Sequence, residues 1–327
     1  PRPLASLAHR AARDEVVRVF AGDANGDGWT DLLLYWDINY YDPDEVDLLI
    51  GGAEGFTVEA DVLPLEEGEI WGAVFGDFDG DGADELAWRW SAQWGRILLH
   101  DYQPGAGFSP ILAKQLLGPR SLEAMDVNSD GIDDLVHVER LQGAGLLYVH
   151  FGDAQRPLDL TETRRLRHRP VSVHARKGGN PGPAEIVILQ SESQHGAPPR
   201  LRMTALSRLN PNYWTRTWSE RLPEDYNRAP EIWDMDRDGH DDFFFRLGDY
   251  YRDQDGFQIL RYREGEPYEP MHRSEGRSRL LDVQPVDDDE IPDALVLGIY
   301  GTMSRFAGIA PLRFDEGRTF WKTDYDT

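Results

Sequence analysis

Residues 23–34 read DANGDGWTDLLL, in which positions one, three, five and nine of a loop carry acidic or amide side chains and leucines follow at once. The sixth position is glycine, which adopts backbone conformations that are costly for other residues. Carboxylates crowded into one turn repel each other unless a cation lies between them. The stretch therefore predicts a cation-dependent turn that leads into a buried strand.

The same stretch recurs along the chain. Full matches begin at Asp77 (DFDGDGADEL), Asp126 (DVNSDGIDDL) and Asp234 (DMDRDGHDDF), and weaker ones begin at Lys177 (KGGNPGPAEI) and Pro285 (PVDDDEIPDA). Successive starts are 54, 49, 51, 57 and 51 residues apart. A repeat of about 50 residues is typical of propellers and other repeat arrays.

Each repeat contains four β-like segments, one before the loop, one after it, and two more around a later turn. We therefore predict an all-β fold, a six-bladed β-propeller of four-stranded antiparallel blades, with a seven-bladed ring as the alternative. Residues 1–14 form an N-terminal extension in this prediction, and residues 15–327 form one propeller domain. The predicted blades span roughly 15–66, 67–118, 119–168, 169–226, 227–276 and 277–327.

The chemistry of the four full loops indicates calcium. Oxygen donors at alternate positions, together with the backbone carbonyl of position seven, form the hard-ligand cage that Ca²⁺ prefers, whereas zinc favours nitrogen or sulfur. An EF-hand is excluded because position twelve is Leu34, Trp88, His137 or Phe245 instead of an acid. The predicted ligands are Asp23, Asn25, Asp27, Trp29 and Asp31; Asp77, Asp79, Asp81, Ala83 and Glu85; Asp126, Asn128, Asp130, Ile132 and Asp134; and Asp234, Asp236, Asp238, His240 and Asp242.

The two weak loops differ from each other. The loop at Lys177 keeps only Glu185 of the ligand set, so we expect no metal there. The loop at Pro285 keeps Asp287, Asp289 and Asp293 at positions three, five and nine, but Glu290 replaces the glycine. We therefore expect four Ca²⁺ sites and leave a fifth open.

The composition of the chain limits its possible binding partners and its cellular compartment. The formal net charge is −25, from 59 acidic and 34 basic residues, which disfavours nucleic acid and anionic membrane surfaces as partners. There is no cysteine, and no stretch is long and apolar enough to span a membrane. The chain begins at Pro1, which we interpret as a processed, exported chain. Free calcium in the cytosol is generally too low to occupy weak, dispersed sites of this kind, whereas outside the cytosol it is not. We therefore expect an extracellular, cell-surface or periplasmic location.

The quoted loops resemble the FG-GAP or VCBS repeat, most closely in FGDFDGDGADEL around Asp77. This repeat is known from integrin α-subunit propellers and from secreted bacterial proteins and lectins, and the resemblance covers nearly the whole chain. It implies a calcium-binding propeller used in adhesion or recognition, with the metal loops on one face and ligand contacts on the other. The fourth and sixth loops depart from this pattern, and many proteins with the repeat have seven units where this chain has six. These differences affect the predicted number of blades more than the predicted fold.

Aromatic residues mark the opposite face in this prediction, because the connections between second and third strands emerge there. Exposed aromatic rings beside polar groups suit sugar stacking or a protein contact. We expect Trp36, Trp88 and Trp90, at strand ends, to lie in the core. The candidate ligand-binding residues are Tyr40, Tyr41, Trp94, Tyr250, Tyr251, Tyr300 and Arg305.

No catalytic residue is predicted, because the chain lacks a nucleophile elbow, a zinc-protease motif and a phosphate-binding glycine loop. The sequence thus favours an exported recognition or adhesion module that binds a glycan or a protein. Two alternatives stay open: a polysaccharide lyase or hydrolase that uses the same face, and a structural subunit of a larger surface or periplasmic assembly.

Overall fold

The computed structural model describes the strands of the chain and several of the connections between them, all before residue 169, and it gives side-chain detail within residues 18–219 and at Phe243. The described residues are 15–37, 45–63, 70–90, 96–115, 119–141, 144–176, 185–192, 201–210, 213–221, 231–233, 242–247, 256–261, 269–273, 278–284, 293–300, 305–315 and 318–320. The N-terminal extension predicted for residues 1–14 lies outside them.

Within these residues the chain forms 24 strands in six four-stranded sheets. The first sheet contains β1 (Glu15–Gly22), β2 (Asp31–Asp37), β3 (Glu45–Ile50) and β4 (Thr57–Glu59), and the second contains β5 (Ile70–Gly76), β6 (Glu85–Trp90), β7 (Arg96–Gln103) and β8 (Gly107–Gln115). The third contains β9 (Pro119–Met125), β10 (Asp134–Leu141), β11 (Ala144–His150) and β12 (Thr161–Leu166). The fourth contains β13 (Arg169–Arg176), β14 (Glu185–Ser191), β15 (Leu201–Asn210) and β16 (Tyr213–Arg221). The fifth contains β17 (Glu231–Trp233), β18 (Asp242–Leu247), β19 (Gly256–Arg261) and β20 (Glu269–Arg273), and the sixth contains β21 (Ser278–Gln284), β22 (Asp293–Tyr300), β23 (Arg305–Asp315) and β24 (Arg318–Phe320).

Every sheet is an antiparallel meander, in which each strand pairs with the next strand along the chain. The prediction of an all-β chain built from four-stranded antiparallel sheets is therefore confirmed. The described residues contain no helix, and so none that could cross a membrane. Each sheet lies within one of the six predicted repeats, although the assignment of these repeats to one domain stays a prediction.

The first five sheets contact each other in order through their first strands, whereas the fifth and sixth sheets contact mainly through β19 and β21. β1 contacts β5, β5 contacts β9, β9 contacts β13, β13 contacts β17, and β21 lies against β1. The residue before a loop must be small where two first strands come close: a Cβ on Gly22 would lie 2.2 Å from the Cβ of Phe75, and a Cβ on Gly76 would lie 2.6 Å from the Cβ of Ala124. Glycine at these two positions lets the first strands pack backbone against side chain.

The hydrophobic core lies between neighbouring sheets. Strands with aliphatic side chains on both faces, such as LLL in β2 and IVIL in β14, bury one face against the sheet before and the other against the sheet after. Burial of each such side chain contributes about 1.5–3 kcal/mol to folding. Trp36 and Trp88 are 1% and 3% exposed, so their predicted place in the core is confirmed. The side chain of Trp90 lies outside the described set. The core between the first and second sheets includes Leu33, Leu48, Phe75 and Leu86. The core between the second and third sheets includes Phe78, Leu99 and Leu135. The core between the third and fourth sheets includes Val136, Val149, Ile186 and Ile188.

Candidate metal sites

The predicted loops join the first and second strands of their sheets, and one hairpin register recurs in all six. The residue before each loop pairs with the ninth loop position, as in Gly22 with Asp31 and Gly76 with Glu85. The same pairing joins Met125 to Asp134 in the third hairpin. It also occurs in the two degenerate hairpins and in the fifth, where the pairs are Arg176 with Glu185, Gln284 with Asp293, and Trp233 with Asp242.

The first loop position holds the turn together through its carboxylate. Asp23 accepts hydrogen bonds from the backbone N–H groups of Asp27 and Gly28 at 3.0 and 2.7 Å. Asp77 accepts from Gly80, Asp81 and Gly82 in the second loop, and Asp126 accepts from residues 128–131 in the third. These bonds turn the backbone around the carboxylate in the same way three times, which is a repeat in three dimensions as well as in sequence.

The glycine at position six has a conformational role. Gly28, Gly82 and Gly131 have φ angles of 86°, 93° and 87°, a region that side chains disfavour, while a Cβ at any of them would meet nothing within 4 Å. Backbone conformation, rather than lack of space, therefore requires glycine there. Position four shares this conformation, which the sequence analysis did not anticipate, and there the third loop places a serine, Ser129, at φ 63°.

The ninth position carries a buried carboxylate that ties the loop to its own sheet. Asp31 is fully buried and accepts hydrogen bonds from the N–H groups of Ala24 at 3.0 Å and Gly51 at 2.7 Å. Asp134 repeats this arrangement with Val127 and Gly152 at 3.0 and 2.9 Å. Gly152 is required by close approach, because a Cβ there would lie 2.3 Å from the carbonyl oxygen of Asp133.

Burial and mutual repulsion raise the pKa values of the ninth-position carboxyls. Desolvation is the main cause, and the neighbouring loop acids add to it: the pKa of Asp31 is raised to about 6, that of Asp134 to about 7 and that of Glu85 to about 8. The pKa of Asp79 is raised as well, first by burial and then by Asp81. The loops therefore concentrate more negative charge than their surroundings stabilise, which is the electrostatic condition of a cation site.

The second loop shows the tightest convergence of acids. Asp77, Asp79 and Glu85 each offer one carboxylate oxygen, and these three atoms lie within 4.8 Å of one another. Asp81 lies beside them but directs one oxygen to the N–H of Ala83 at 2.9 Å. The first and third loops place Asn25 and Asn128 at the position of Asp79, so an amide oxygen replaces a carboxylate there. The donor set is entirely oxygen, which fits a hard divalent cation such as Ca²⁺.

A functional position that the sequence analysis missed is the eighth. Asp84 accepts a hydrogen bond from the N–H of Asp23 at 2.7 Å, and its own N–H donates to the carbonyl oxygen of Asp23 at 2.8 Å. Asp133 makes the same two contacts with Asp77 in the preceding loop. The eighth residue thus links the second loop to the first and the third loop to the second. Its sequence signal was the first acid of the pairs Asp84-Glu85 and Asp133-Asp134, to which counting of alternate positions assigned no role.

The other predicted site residues are placed only in part. Asp242 and Asp293 begin β18 and β22, and Tyr300 and Arg305 lie where β22 ends and β23 begins, at the end of that sheet away from the loop. Only the backbone of these four is described. Outside the described residues lie the predicted metal ligands Asp234, Asp236, Asp238, His240, Asp287 and Asp289 and the aromatic candidates Tyr40, Tyr41, Trp94, Tyr250 and Tyr251.

Comparisons with known proteins give no family assignment for the chain. No protein-family model matches the chain, and no curated protein sequence matches it.

Proposed function

We propose that the chain is an exported, calcium-stabilised six-bladed β-propeller of the FG-GAP or VCBS type, which recognises a glycan or a protein partner. The observation that carries the proposal is the threefold recurrence of one loop geometry, with three carboxylate oxygens of the second loop within 4.8 Å of one another. Burial also raises the pKa of the ninth-position acid in each of the first three loops, a cost that a bound cation would offset.

The ring is supported by the order of contacts between sheets. Each first strand from β1 to β13 lies against the first strand of the next sheet, and β21 lies against β1. A ring of blades requires this succession, with the last sheet beside the first. Closing the ring also leaves no long sheet edge exposed to other chains.

Calcium would act as a structural ion in this proposal. In each loop Asp, Asn or Glu side chains at positions one, three, five and nine would hold it, and the ion would neutralise charge that burial otherwise leaves uncompensated. Folding and calcium binding would then be linked, so the protein would be most stable where free calcium is plentiful. This is our reason for proposing an extracellular, cell-surface or periplasmic location.

Calcium binding is tested by counting bound ions and measuring stability together. We expect equilibrium dialysis to give about four ions per chain, and we expect chelator to lower the melting temperature strongly. Glu85→Gln keeps the size and one acceptor oxygen of the side chain but removes one ligand charge, so it should lower the number of tightly bound ions by one. Glu54→Gln, at an exposed turn residue outside the loops, is the matched control. Unchanged melting in chelator would refute the structural role of calcium.

Recognition is tested with a glycan panel, with calcium and with chelator, combined with analysis of released products. Binding without turnover supports a recognition module. Release of shortened or unsaturated sugars would replace it with the lyase or hydrolase alternative. A chain that binds no glycan and is isolated in a stable complex with other chains of its source would favour the structural subunit.

A further inference from the structure

An arginine-rich groove lies between the outer strand of the third sheet and one face of the fourth. Its volume is about 860 Å³. β12 forms one wall together with the turn that follows it, and β14, β15 and β16 form the other. The lining residues are Arg164, Arg165, Leu166, Arg167, His168, Ile188, Gln190, Glu192, Arg202, Thr204, Leu206, Arg216 and Ser219.

The charge of this groove is opposite to that of the chain. Of the thirteen lining residues that the structure describes, five are arginine and one is glutamate, so these residues carry an excess of four positive charges with histidine counted as neutral. The whole chain has only 34 lysines and arginines among 327 residues and a net charge of −25. Several guanidinium groups around one groove repel each other unless an anion lies among them.

Three of the arginines have no internal counter-charge. Arg165, Arg167 and Arg216 are exposed, and their side chains form no hydrogen bond or ion pair with any part of the protein that the structure describes. They therefore present guanidinium groups to the solvent of the groove. Each offers the planar pair of donors that fits a carboxylate, sulfate or phosphate.

The base of the groove is ordered and polar. Arg202 is held by hydrogen bonds to the carboxylate of Glu192 and, at 3.2 Å, to the hydroxyl of Ser219. The hydroxyls of Ser219 and Thr204 lie 3.2 Å apart, and Gln190 is buried beside them. A ligand that enters the groove thus meets fixed hydroxyl and amide groups below the charged rim.

The groove opens at the end of the strands opposite the metal loops. β12 begins at Thr161, which pairs with His150 close to the third loop, and ends at Leu166, which pairs with Gly145. Arg167 and His168 follow that end. On the other wall Arg202 pairs with Gln190, five residues beyond Glu185 at the loop end of β14. The groove therefore lies away from the acids that would bind calcium.

We propose that this groove binds an acidic polysaccharide, a glycan that carries carboxylate or sulfate groups. Exposed arginines at the rim bind the anionic groups, and the hydroxyl and amide groups at the base bind sugar hydroxyls. None of the described lining residues is Phe, Tyr or Trp, so the described part of the groove has no stacking platform of the kind that binds single-stranded nucleic acid. The choice of a glycan rests on the proposed recognition function, whereas the preference for an anion rests on the groove alone.

The test compares three probes at low and moderate salt in excess calcium: oligogalacturonate, whose charges are carboxylates, dextran sulfate, whose charges are sulfates, and neutral dextran. We expect at least one acidic probe to bind, neutral dextran not to bind, and the affinity to fall as salt rises. Which acidic probe binds more tightly identifies the anionic group. The variant Arg165→Gln/Arg167→Gln should weaken binding about tenfold or more, because it removes two charge-assisted donors.

The matched control is Arg140→Gln/Arg156→Gln, which removes two exposed arginines elsewhere in the third repeat. It should bind like the wild type. Equal affinity of the groove variant and the control, or binding of neutral dextran alone, would overturn the groove while leaving a recognition function elsewhere intact. Polyglutamate binding more tightly than both acidic polysaccharides would overturn the choice of a glycan. Failure of the wild type to bind either acidic polysaccharide would overturn the groove proposal, whereas recognition of a protein partner is tested separately.

Discussion

Two buried histidines at the interface of the second and third sheets make the protein sensitive to acid. His137 and His150 are 0% and 1% exposed, and their Nε2 atoms lie 3.0 Å apart. The ammonium group of Lys114 contacts Nδ1 of His150 at 2.9 Å. Because an ammonium group only donates, His150 accepts at Nδ1 and carries its proton on Nε2, from which it donates to His137.

This arrangement disfavours a second proton on either ring. On His137 it would face the Nε2–H of His150, and on His150 it would face the ammonium group of Lys114, with the hydroxyl of Thr161 at 2.7 Å as the acceptor within reach. His137 then carries its proton on Nδ1, a buried atom without a hydrogen-bond partner in the described structure. The stacked ring of Tyr148, whose hydroxyl bonds to Glu139, and the cation of Lys114 are the titratable groups that face the pair. Burial, together with Lys114, lowers the pKa of His150 to about 3 and holds the pKa of His137 well below its usual value.

The sign of the pH effect follows from these lowered pKa values. Both states hold neutral histidine near pH 7, but below about pH 6.5 only the unfolded chain takes up the protons. At pH 5 each buried histidine therefore costs the folded state about 2 kcal/mol, from about 1.5 pH units at about 1.4 kcal/mol each. Together the pair costs about 4 kcal/mol, a large share of the 5–15 kcal/mol typical of a folded protein.

The variant His137→Leu/His150→Leu removes this cost. Leucine suits the two positions because the first sheet has Leu34 and Leu49 at the equivalent places, and Lys114 keeps its bonds to Leu158 and Thr161 at 2.8 and 2.7 Å. We expect chemical denaturation in excess calcium to show that the wild type loses about 4 kcal/mol more than the variant between about pH 7 and about pH 5.

The comparison of slopes isolates the histidine pair. The loop carboxyls with raised pKa values are present in both proteins, so their contribution cancels. Parallel pH dependences of the wild type and the double variant would refute the reasoning, whatever their stabilities at pH 7.

Three further predictions concern the loops. Terbium bound in place of calcium should luminesce when tryptophan is excited, because Trp29 occupies position seven of the first loop. The variant Trp29→Phe should remove most of that luminescence. Unchanged luminescence in this variant would place the ion elsewhere. Asp84→Ala should destabilise the protein by about 1–3 kcal/mol in denaturation experiments, because the N–H of Asp23 loses its acceptor, whereas Asp84→Asn, which keeps an oxygen, should cost less. Calcium binding near pH 7 should release protons, because the pKa of Glu85 is raised to about 8 and that of Asp134 to about 7, and carboxyl ligands bind calcium in the deprotonated form. The apparent affinity for calcium should therefore rise with pH. Calorimetric heats of binding that do not vary with the ionisation enthalpy of the buffer would contradict this prediction.

The sequence predicted the hairpins well because their determinants are local. An acid at position one collects the N–H groups of the next few residues, and glycine at position six permits the left-handed backbone, so the loop folds by contacts within itself. The start of the second strand at position nine follows from the same geometry. The order of the four strands in each sheet could be predicted too, since each connection joins neighbouring strands.

Contacts between repeats could not be predicted from one repeat at a time. The link from Asp84 to Asp23 spans 61 residues, and nothing near Asp84 distinguishes it from a surface acid. The arginine groove could not be predicted for the same reason. β12 and the turn after it carry Arg165 and Arg167, whereas β15 and β16 carry Arg202 and Arg216. Only the packing of one sheet on the next brings these four side chains to one groove.

Strand direction accounts for the separation of the two kinds of charge. β11 runs from His150, which pairs with Leu135 beside the third loop, to Gly145, which pairs with Leu166 at the groove, a distance of about 17 Å for five residues at 3.3 Å each. This is about twice the Debye length at physiological ionic strength, so the loop acids and their ions act only weakly on an anion in the groove. Acidic loops at one end of the strands therefore do not prevent an arginine groove at the other from binding an acidic ligand, and the high net negative charge of the chain does not by itself argue against such a ligand.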